Sequence, residues 1–386
     1  MATIRGTNGR PVSGPLQGLT IVEMAALGPV PLAGQLLADL GANVVIIDRQ
    51  SRTVNQAEIN RRNKRSVALN LKNGEGLVAA KAIIAKADVL LEGFRPGVME
   101  KLGIGPEPCL ELNPSLIYGR MTGWGQDGPL AKVAGHDINY LALTGVLHAI
   151  GERGSPPPPP LNIAADYGGG AMFLVMGVLS AWIERSLSGV GQVVDVAMIE
   201  GVPAMMGLLY TLLSQQSWTE ERADNMLDGG APYYRCYETS DGKYLSVGAI
   251  EPQFFAELVK LSGLPESDCL IQNNKAHWPD MHARYEAHFR SRSRAEWVAI
   301  FEDSDACVAP VLTFAEARVH PHNVARNVFS NPDTCLQATP APRFERTPLP
   351  PPRPAVAAGS DTVEVLAELG YSDSQLALLK ASGALS

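Results

Sequence analysis

Short apolar runs alternate with segments of helical apolar spacing through the first half of the chain. Residues 19–23, 44–48 and 88–92 are apolar runs with the length of a buried strand. Residues 29–40 have the apolar spacing of a helix, and Gly41 stands where a C-cap glycine is expected. A strand, a helix and a strand in this order predict a parallel sheet with right-handed crossovers.

The same alternation continues beyond these segments. The further strands and helices that the pattern predicts are, in chain order, strand 66–71, helix 76–85, strand 116–121, helix 171–184, strand 192–196 and helix 199–215. Strands and helices that alternate in this way are typical of a doubly wound, Rossmann-like α/β domain. We assign residues 14–222 to this large domain and residues 1–13 to an N-terminal extension.

The pattern changes after residues 228–230, where the sequence reads Asp-Gly-Gly. Residues 234–248 are predicted to form a hairpin that turns at an Asp-Gly pair, which favours tight turns. Helical spacing follows at residues 252–261, 283–289, 294–301 and 314–318. We therefore predict a smaller α+β domain at residues 223–330. Residues 331–386 are predicted to return to the large domain and to contain a helix at residues 362–369.

Charge and composition exclude several classes of function. The net charge of −8 argues against non-specific nucleic-acid binding, and no apolar run is long enough to predict a membrane span. The five cysteines are scattered without Cys-x-x-Cys spacing, and the histidines show no metal-binding spacing. We expect a cytoplasmic protein with no metal, no nucleic-acid partner and no membrane partner.

Three residues are candidates for acid–base chemistry. His136 follows a glycine-spaced loop, Asp166 lies just before a predicted helix, and Glu251 precedes Pro252. Each residue also has a structural interpretation. An aspartate before a helix is commonly an N-cap, a single histidine is often structural, and a glutamate before proline suits a helix start. Against the N-cap interpretation, the glycines after Asp166 allow a ligand to approach the backbone, and amides at a helix start stabilise negative charge.

Basic residues near predicted strand ends are candidates for holding an anionic group. Arg49 and Arg95 fall at or just past strand ends, where doubly wound sheets bind ligands. Residues 61–65 form a basic cluster that includes Lys64 and Arg65, for which a solvated basic surface is the alternative. No Gly-x-Gly-x-x-Gly follows the first strand, so binding of a dinucleotide by a Rossmann motif is poorly supported. The chain also has no P-loop motif, so binding of a nucleotide by a P-loop is poorly supported as well.

Several segments resemble the family III CoA-transferases over nearly the whole chain. The segments that match the broad family are residues 16–23, 63–72, 91–98 and 191–195. The segments that resemble its branch of α-methylacyl-CoA racemases are residues 134–140, 225–232, 247–254, 305–308 and 310–312. Within these segments Ile46 stands where relatives often carry a basic residue, so one phosphate contact is expected to be missing or replaced.

The resemblance implies an isomerase that interconverts (R)- and (S)-2-methylacyl-CoA thioesters by 1,1-proton transfer through an enolate. His136 and Asp166 would be the two bases, one on each face of the planar carbon, and Glu251 would orient His136. The backbone amides around Asp166 to Gly169 would face the enolate oxygen. No cofactor is expected to be bound permanently, because CoA is part of the substrate.

The resemblance also implies the residues that hold the substrate and a partner chain. The residues expected at CoA are Arg49, Lys64, Arg65 and Arg95 at the phosphates, and Ala68, Leu69, Asn70 and Leu71 near the adenine. The residues expected around the acyl group are Gly135, Asp137, Ile138, Asn139, Tyr140, Asn162, Gly168 and Gly169. The family fold is an interlocked homodimer with each site between the large domain of one chain and the small domain of the other.

Two other functions are compatible with the sequence. A CoA-transferase on the same fold would use Asp166 as a nucleophile and would leave His136 and Glu251 without a role. A non-catalytic acyl-CoA-binding protein would keep the basic residues but would need no bases. The acyl group remains open among branched fatty acids, sterol side chains and 2-arylpropionates.

Overall fold

The computed structural model of the chain describes residues 14–55, 57–330 and 335–385. The predicted N-terminal extension at residues 1–13 lies outside the described residues. Contacts divide the chain into two compact units. The larger unit comprises the chain up to Thr144, Pro160–Met205 and the chain from Arg326, and the smaller unit comprises Gly145–Pro159 and Met206–Ala325.

A six-stranded parallel sheet forms the centre of the larger unit. The strands are β1 (Thr20–Met24), β2 (Asn43–Asp48), β3 (Arg65–Ala68), β4 (Val89–Glu92), β5 (Ile117–Thr122) and β6 (Gln192–Ala197). Their order is β3-β2-β1-β4-β5-β6, and every neighbouring pair is parallel. The prediction of a doubly wound α/β fold is therefore confirmed. The order reverses between β1 and β4, which is where such sheets leave a crevice for ligands.

Helices lie between these strands in the chain, and one more helix follows β6. They are α1 (Pro29–Asp39), α2 (Gly74–Ile84), α3 (Val98–Lys101), α4 (Pro106–Leu112), α5 (Asp137–Leu143), α6 (Phe173–Ser188) and α7 (Met198–Ala204). All four residues of β4 and all six of β5 are buried. A strand covered on both faces is often a nearly continuous apolar run, as β4 is before Glu92, and the sequence pattern located β4 within one residue.

The helix predicted at residues 171–184 begins earlier than expected. A π-helical segment, Ile163–Met172, precedes α6 and contains Asp166 and all three glycines of residues 168–170. The wider turn of a π-helix is frequent at functional sites. The stretch Ile163–Ser188 is long and apolar enough to cross a membrane, with a mean hydropathy of 1.4. Because a core helix meets the same criterion, this is weak support for a membrane span, and the absence of a membrane partner stays a prediction.

Two glycines allow the π-helical segment to approach α7 closely. A Cβ atom on Gly201 would lie 2.0 Å from the carbonyl oxygen of Gly169, and a Cβ atom on Gly169 would lie 2.8 Å from the backbone nitrogen of Val202. In both cases the added Cβ atom would clash with a backbone atom, which has little freedom to move. The glycines are therefore required by helix packing.

We expect Gly201→Ala to lower the free energy of unfolding by about 2 kcal/mol or more, because the added methyl group separates the two helices. Gly207→Ala is the matched control, since no atom lies within 4 Å of a Cβ atom built there. Thermal or urea unfolding of the two variants measures the difference. Equal stability of Gly201→Ala and the wild type would contradict this interpretation.

The smaller unit is built on an antiparallel sheet. Its strands β7 (Tyr234–Glu238), β8 (Tyr244–Gly248) and β9 (Val308–Val311) pair in the order β7-β8-β9. Its helices are α8 (Gly207–Ser214), α9 (Pro252–Ser262), α10 (Trp278–Phe289), α11 (Arg294–Phe301), α12 (Phe314–Val319) and α13 (Pro321–Ala325). An aromatic cluster fills the core of this unit and includes Tyr237, Phe289 and Trp297.

The boundary between the two domains was predicted between residues 222 and 223. In the structure the main part of the smaller unit begins earlier, at Met206. Residues 145–159 belong to this unit, and Arg222 shows the reason. Its guanidinium donates hydrogen bonds to the carbonyl oxygens of His148, Glu152 and Ser155. The predicted single helix at residues 199–215 is divided into α7 and α8, which are separated by Met205 and Met206.

The C-terminal segment covers the outer edge of β3. It contains the short strands β10 (Phe329–Ser330) and β11 (Gln337–Ala338) and the helices α14 (Thr362–Glu368) and α15 (Asp373–Ala381). The Ala68 amide donates to the Thr362 hydroxyl at 3.0 Å, and the Asn70 amide donates to the Ala384 carbonyl at 2.9 Å. An edge strand with its amides satisfied in this way is protected from pairing with another chain.

Candidate active site

A cavity of about 270 Å³ opens at the carboxyl ends of β1, β4 and β5 in the larger unit. It lies at the reversal of strand order between β1 and β4, where doubly wound sheets bind ligands. Its lining residues are Leu27, Gly28, Pro29, Val30, Gly93, Phe94, Arg95, Pro96, Met121, Thr122, Gly123, Trp124, Ala131, Val133, Ala134, Gly135, His136, Tyr140, Asp166 and Met198. Of the predicted catalytic residues, His136 and Asp166 both line this cavity.

Asp166 projects into the cavity from the π-helical segment and is half-buried. Burial raises the pKa of its carboxyl group, and the negative charge of Asp137 raises it further. A hydrogen bond from the Asn162 side chain and the nearby His136 act in the opposite direction. A carboxyl group with a raised pKa is a better general base in its ionised form than one with the ordinary value.

The N-cap interpretation of Asp166 is wrong. The residue lies inside the helical segment, and the N-cap position belongs to Asn162. The side chain of Asp137 takes the role instead. Its Oδ2 accepts hydrogen bonds from the backbone amides of Ala165 at 2.9 Å and Asp166 at 2.8 Å. The carboxylate of Asp166 is thereby left to face the cavity.

Two predictions are corrected by the same hydrogen bonds. Asp137 was predicted to contact substrate, but its side chain is buried and bound to backbone amides. The amide of Asp166 was predicted to face an enolate oxygen, but it donates to Asp137. Both corrections follow from the position of the helix start, which lies three residues before Asp166.

His136 is exposed and occupies the N-cap position of α5. Its backbone amide donates to the side-chain oxygen of Asn139 at 3.0 Å. The Tyr140 hydroxyl donates to the carbonyl oxygen of Gly135 at 2.5 Å. Asn139 and Tyr140, which were predicted to contact substrate, therefore hold the peptide group that joins Gly135 to His136. Ile138 on the same helix is 40% exposed.

The ring of Tyr140 packs where two glycines leave space. A Cβ atom on Gly123 would lie 2.0 Å from the ring, and one on Gly135 would lie 2.8 Å from it. Trp124 packs edge-on against the same ring at a centroid distance of 4.7 Å. The glycine spacing of this loop therefore has a packing reason.

The glycines that follow Asp166 pack against protein and not against an open cavity. Gly169 is buried at the crossing with α7. A Cβ atom on Gly168 would lie 3.2 Å from the Met205 side chain. Neither glycine is among the residues that line the cavity, and their contact with substrate stays a prediction. Asn162, the third predicted contact in this segment, acts through its hydrogen bond to the Asp166 carboxyl group.

Arg95 is the predicted CoA-binding residue that lines the cavity. It follows β4 and is exposed. Within the part of the chain that the structure describes, its side chain has no ion-pair or hydrogen-bond partner. Its charge is therefore available to an anion at the cavity rim. Arg49 directly follows β2 and is also exposed.

The basic cluster at residues 61–65 is neither an anion site nor a solvated surface. Lys64 is buried, and its Nζ lies 2.6 Å from Oε2 of Glu23 on β1. Arg61 and Arg62 form equally short ion pairs, with Asp48 and Asp39 respectively. Burial raises the pKa of Glu23 despite the neighbouring Lys64. The prediction that Lys64 contacts a phosphate is corrected, because its ammonium group is enclosed in the core.

The other residues predicted near CoA on this strand are also engaged. Arg65 pairs with Glu368 at 2.9 Å, and its side chain is 16% exposed. Ala68 and Leu69 are buried, and the amide group of Asn70 donates to the Gly383 carbonyl at 3.3 Å. Leu71 packs on the core. The C-terminal segment packs against this stretch, and the contact of residues 68–71 with an adenine stays a prediction.

Glu251 lies in the smaller unit. It is exposed and occupies the N-cap position of α9, directly before Pro252, and its side chain makes no capping hydrogen bond. Glu251 therefore lies at a helix start, as the structural interpretation predicted. Its carboxylate nevertheless has no hydrogen-bond partner within that helix. Its predicted hydrogen bond to His136 stays a prediction.

Several apolar residues that line the cavity were not predicted from the sequence, among them Leu27, Phe94, Met121 and Met198. Leu27 is 92% exposed although it is apolar. Residues that follow the carboxyl ends of β1, β4 and β5 could have been proposed from topology alone. Within the described residues, no group of three or more metal-binding side chains is found.

Comparison with known sequences places the chain in a family. Residues 16–362 match the sequence model of CoA-transferase family III. The chain belongs to this family. It is 47% identical to the α-methylacyl-CoA racemase of Mus musculus and 42% identical to that of Homo sapiens, in each case over 94% of this chain and 95% of the relative.

A solved structure of a CAIB/BAIF family protein from Brucella suis has the same fold. It superposes with a TM-score of 0.78 at 25% sequence identity and covers 92% of this chain and 100% of that chain. The similarity therefore extends over both units of this family III protein, and the cavity at the reversal of strand order lies inside the matched region.

Proposed function

We propose that the protein is a 2-methylacyl-CoA racemase that exchanges the proton on the carbon next to the thioester carbonyl. The observation that carries the proposal is the presence of His136 and Asp166 in the lining of one cavity. They come from different elements, His136 from the start of α5 and Asp166 from the π-helical segment. Two bases on separate elements suit a reaction that needs proton transfer at both faces of a planar carbon.

The chemistry proceeds through an enolate. One base removes the α-proton while the other, in its protonated form, delivers a proton to the opposite face, and the roles reverse for the other enantiomer. The negative charge that develops on the thioester oxygen needs stabilisation. The N-terminus of α1 lies beside Asp166, since a Cβ atom on Gly28 would be 3.8 Å from the Asp166 carboxylate. The positive end of that helix dipole favours an enolate there.

The lining of the cavity fits a thioester substrate. Arg95 at the rim offers a free positive charge for a CoA phosphate. Leu27, Phe94 and Met198 offer an apolar surface for an acyl chain. No cofactor is needed beyond the CoA that the substrate carries. The acyl group is proposed only as a 2-methyl-branched chain, because branched fatty acids, sterol side chains and 2-arylpropionates share the same reacting centre.

We also propose that the protein forms a homodimer. Met172, Met176, Ile183 and Leu187 on one continuous helix are between 52% and 86% exposed. Monomeric soluble proteins rarely leave such a row of large apolar side chains in contact with water. An interlocked pair of chains, as the resemblance implies, would cover this row. Light scattering after size-exclusion chromatography measures the mass, and a mass of 41.2 kDa would contradict the dimer.

The experiment that tests the racemase function follows (S)- and (R)-2-methylacyl-CoA separately in D₂O. We expect deuterium at C2 and approach to an equal mixture from either enantiomer. The competing function gives a different result. If Asp166 is instead a nucleophile, no deuterium enters C2 and CoA is transferred to an added carboxylate. Tight binding of the thioester with neither reaction would indicate a non-catalytic binding protein.

A further inference from the structure

The side chain of Asp137 connects the two candidate bases. Its own backbone directly follows His136, and it is the first residue of α5. Its carboxylate oxygen Oδ2 accepts the amides of Ala165 and Asp166 at 2.9 and 2.8 Å. One short path of covalent and hydrogen bonds therefore runs from His136 through Asp137 to the backbone of Asp166.

The other oxygen of the same carboxylate is buried and, within the described residues, accepts no hydrogen bond. Asp137 itself is only 6% exposed. A buried carboxylate that uses one oxygen for both hydrogen bonds is more costly than an amide in the same place, because the charge itself is desolvated. Capping alone does not explain the charge, since the oxygen of an asparagine would accept the same two amides.

We propose that Asp137 is a positioning residue for proton transfer, whose carboxylate fixes the backbone of Asp166 relative to His136 and places a negative charge beside the Asp166 carboxyl group. The proposal rests on the racemase function proposed above. It assigns to Asp137 a role that differs from substrate contact. The residue acts through Asp166 and does not touch the reacting carbon.

The surroundings of Asp166 show which charges act on it. His136 and Asp137 come from the start of α5, and the Asn162 side chain comes from the N-cap of the π-helical segment. Tyr140 and, beyond it, Arg95 lie on the cavity wall. The starts of α1 and α7 contribute apolar side chains to the lining of the same cavity, which include Pro29 and Met198. Asp137 is therefore the anionic neighbour of Asp166, and its removal is expected to lower the pKa of Asp166.

Two substitutions separate the hydrogen bonds from the charge. Asp137→Asn keeps an oxygen that accepts both amides and removes the charge. Asp137→Ala removes both hydrogen bonds and the charge. Asp127→Asn is the matched control, because Asp127 is exposed on the preceding loop and does not line the cavity. Racemisation of each variant is measured from pH 4 to pH 9, together with its melting temperature.

We expect Asp137→Ala to lower kcat by about 10²-fold with little change in KM, because a displaced base loses its near-attack geometry. Asp137→Asn is expected to keep kcat within about 10-fold of the wild type at its best pH, while the acidic limb of kcat/KM moves to lower pH. If Asp137→Ala fails to fold, the pH profile of Asp137→Asn is sufficient to test the proposed role of Asp137. An acidic limb in Asp137→Asn that matches that of Asp127→Asn overturns the proposal.

A second measurement keeps the test independent of activity. Carboxyl ¹³C resonances of the wild type and of Asp137→Asn are titrated, with Asp166→Asn used to assign Asp166. A lower pKa of Asp166 in Asp137→Asn supports the electrostatic role even if no racemisation is found, whereas an unchanged pKa overturns it. Absence of exchange in the wild type would contradict the proposed function alone.

Discussion

The Asp166→Asn variant is expected to lose racemisation of 2-methylacyl-CoA by about 10³-fold or more, because its amide neither accepts nor delivers a proton. Asparagine has nearly the shape of aspartate, so the cavity and the backbone hydrogen bonds of Asp137 should be retained. The loss is therefore expected in kcat, with KM nearly unchanged. Deuterium at C2 and the enantiomer ratio are measured together in D₂O.

The stability of the same variant should not fall at neutral pH. The pKa of Asp166 is raised by burial, so the folded state disfavours the ionised carboxylate. A group with a raised pKa contributes stability below its unfolded pKa, and this contribution is lost as pH rises through the folded pKa. Asparagine does not ionise. We therefore expect the melting temperature of Asp166→Asn to equal or exceed that of the wild type at pH 7 and to lose this advantage in acid.

Asp127→Asn serves as the control, since it removes an exposed aspartate outside the cavity lining. It should keep both the activity and the pH dependence of stability. Racemisation by Asp166→Asn within about 10-fold of the wild type would show that Asp166 is not one of the bases. A large drop in melting temperature would show instead that its carboxylate has a structural role.

The architecture of the larger unit was predictable because most of its strands, β6 excepted, are buried along nearly their whole length. Val89–Glu92 begins as an apolar run for that reason, whereas Ile117–Thr122 is buried although it contains Arg120 and Thr122. The start of the π-helical segment was not predictable, because it depends on a cap supplied from Asp137, which lies 28 residues before Ala165. Local spacing carries no information about a hydrogen bond of that range.

The candidate site was predictable only in part. Two of the three acid–base candidates chosen from sequence motifs, His136 and Asp166, line the cavity. The role of the basic cluster was not predictable, because a sequence shows the charge of Lys64 but not the buried Glu23 that faces it, 41 residues away. Similarly, glycines permit close approach of any group, and the group that approaches Gly169 in the fold is Gly201 on α7.

His136→Gln is expected to lose nearly all racemisation. It should still exchange the α-proton of one enantiomer with solvent. Glutamine cannot act as a base, so no proton reaches the face of the carbon that His136 serves, and interconversion should fall by about 10³-fold. Asp166 is still able to remove the α-proton from the enantiomer that presents it to the carboxylate. The backbone amide at position 136 still donates to Asn139, which preserves the start of α5.

The two enantiomers should therefore behave differently in D₂O. One should gain deuterium at C2 and keep its configuration, because Asp166 returns a deuteron to the face from which it took the proton. The other should gain none. His148→Gln is the matched control, since His148 is a histidine of the smaller unit whose ring bonds the Glu220 carbonyl and does not line the cavity. Equal loss of deuterium from both enantiomers in His136→Gln would mean that His136 and Asp166 act together on one face, and the two-base mechanism would then be abandoned.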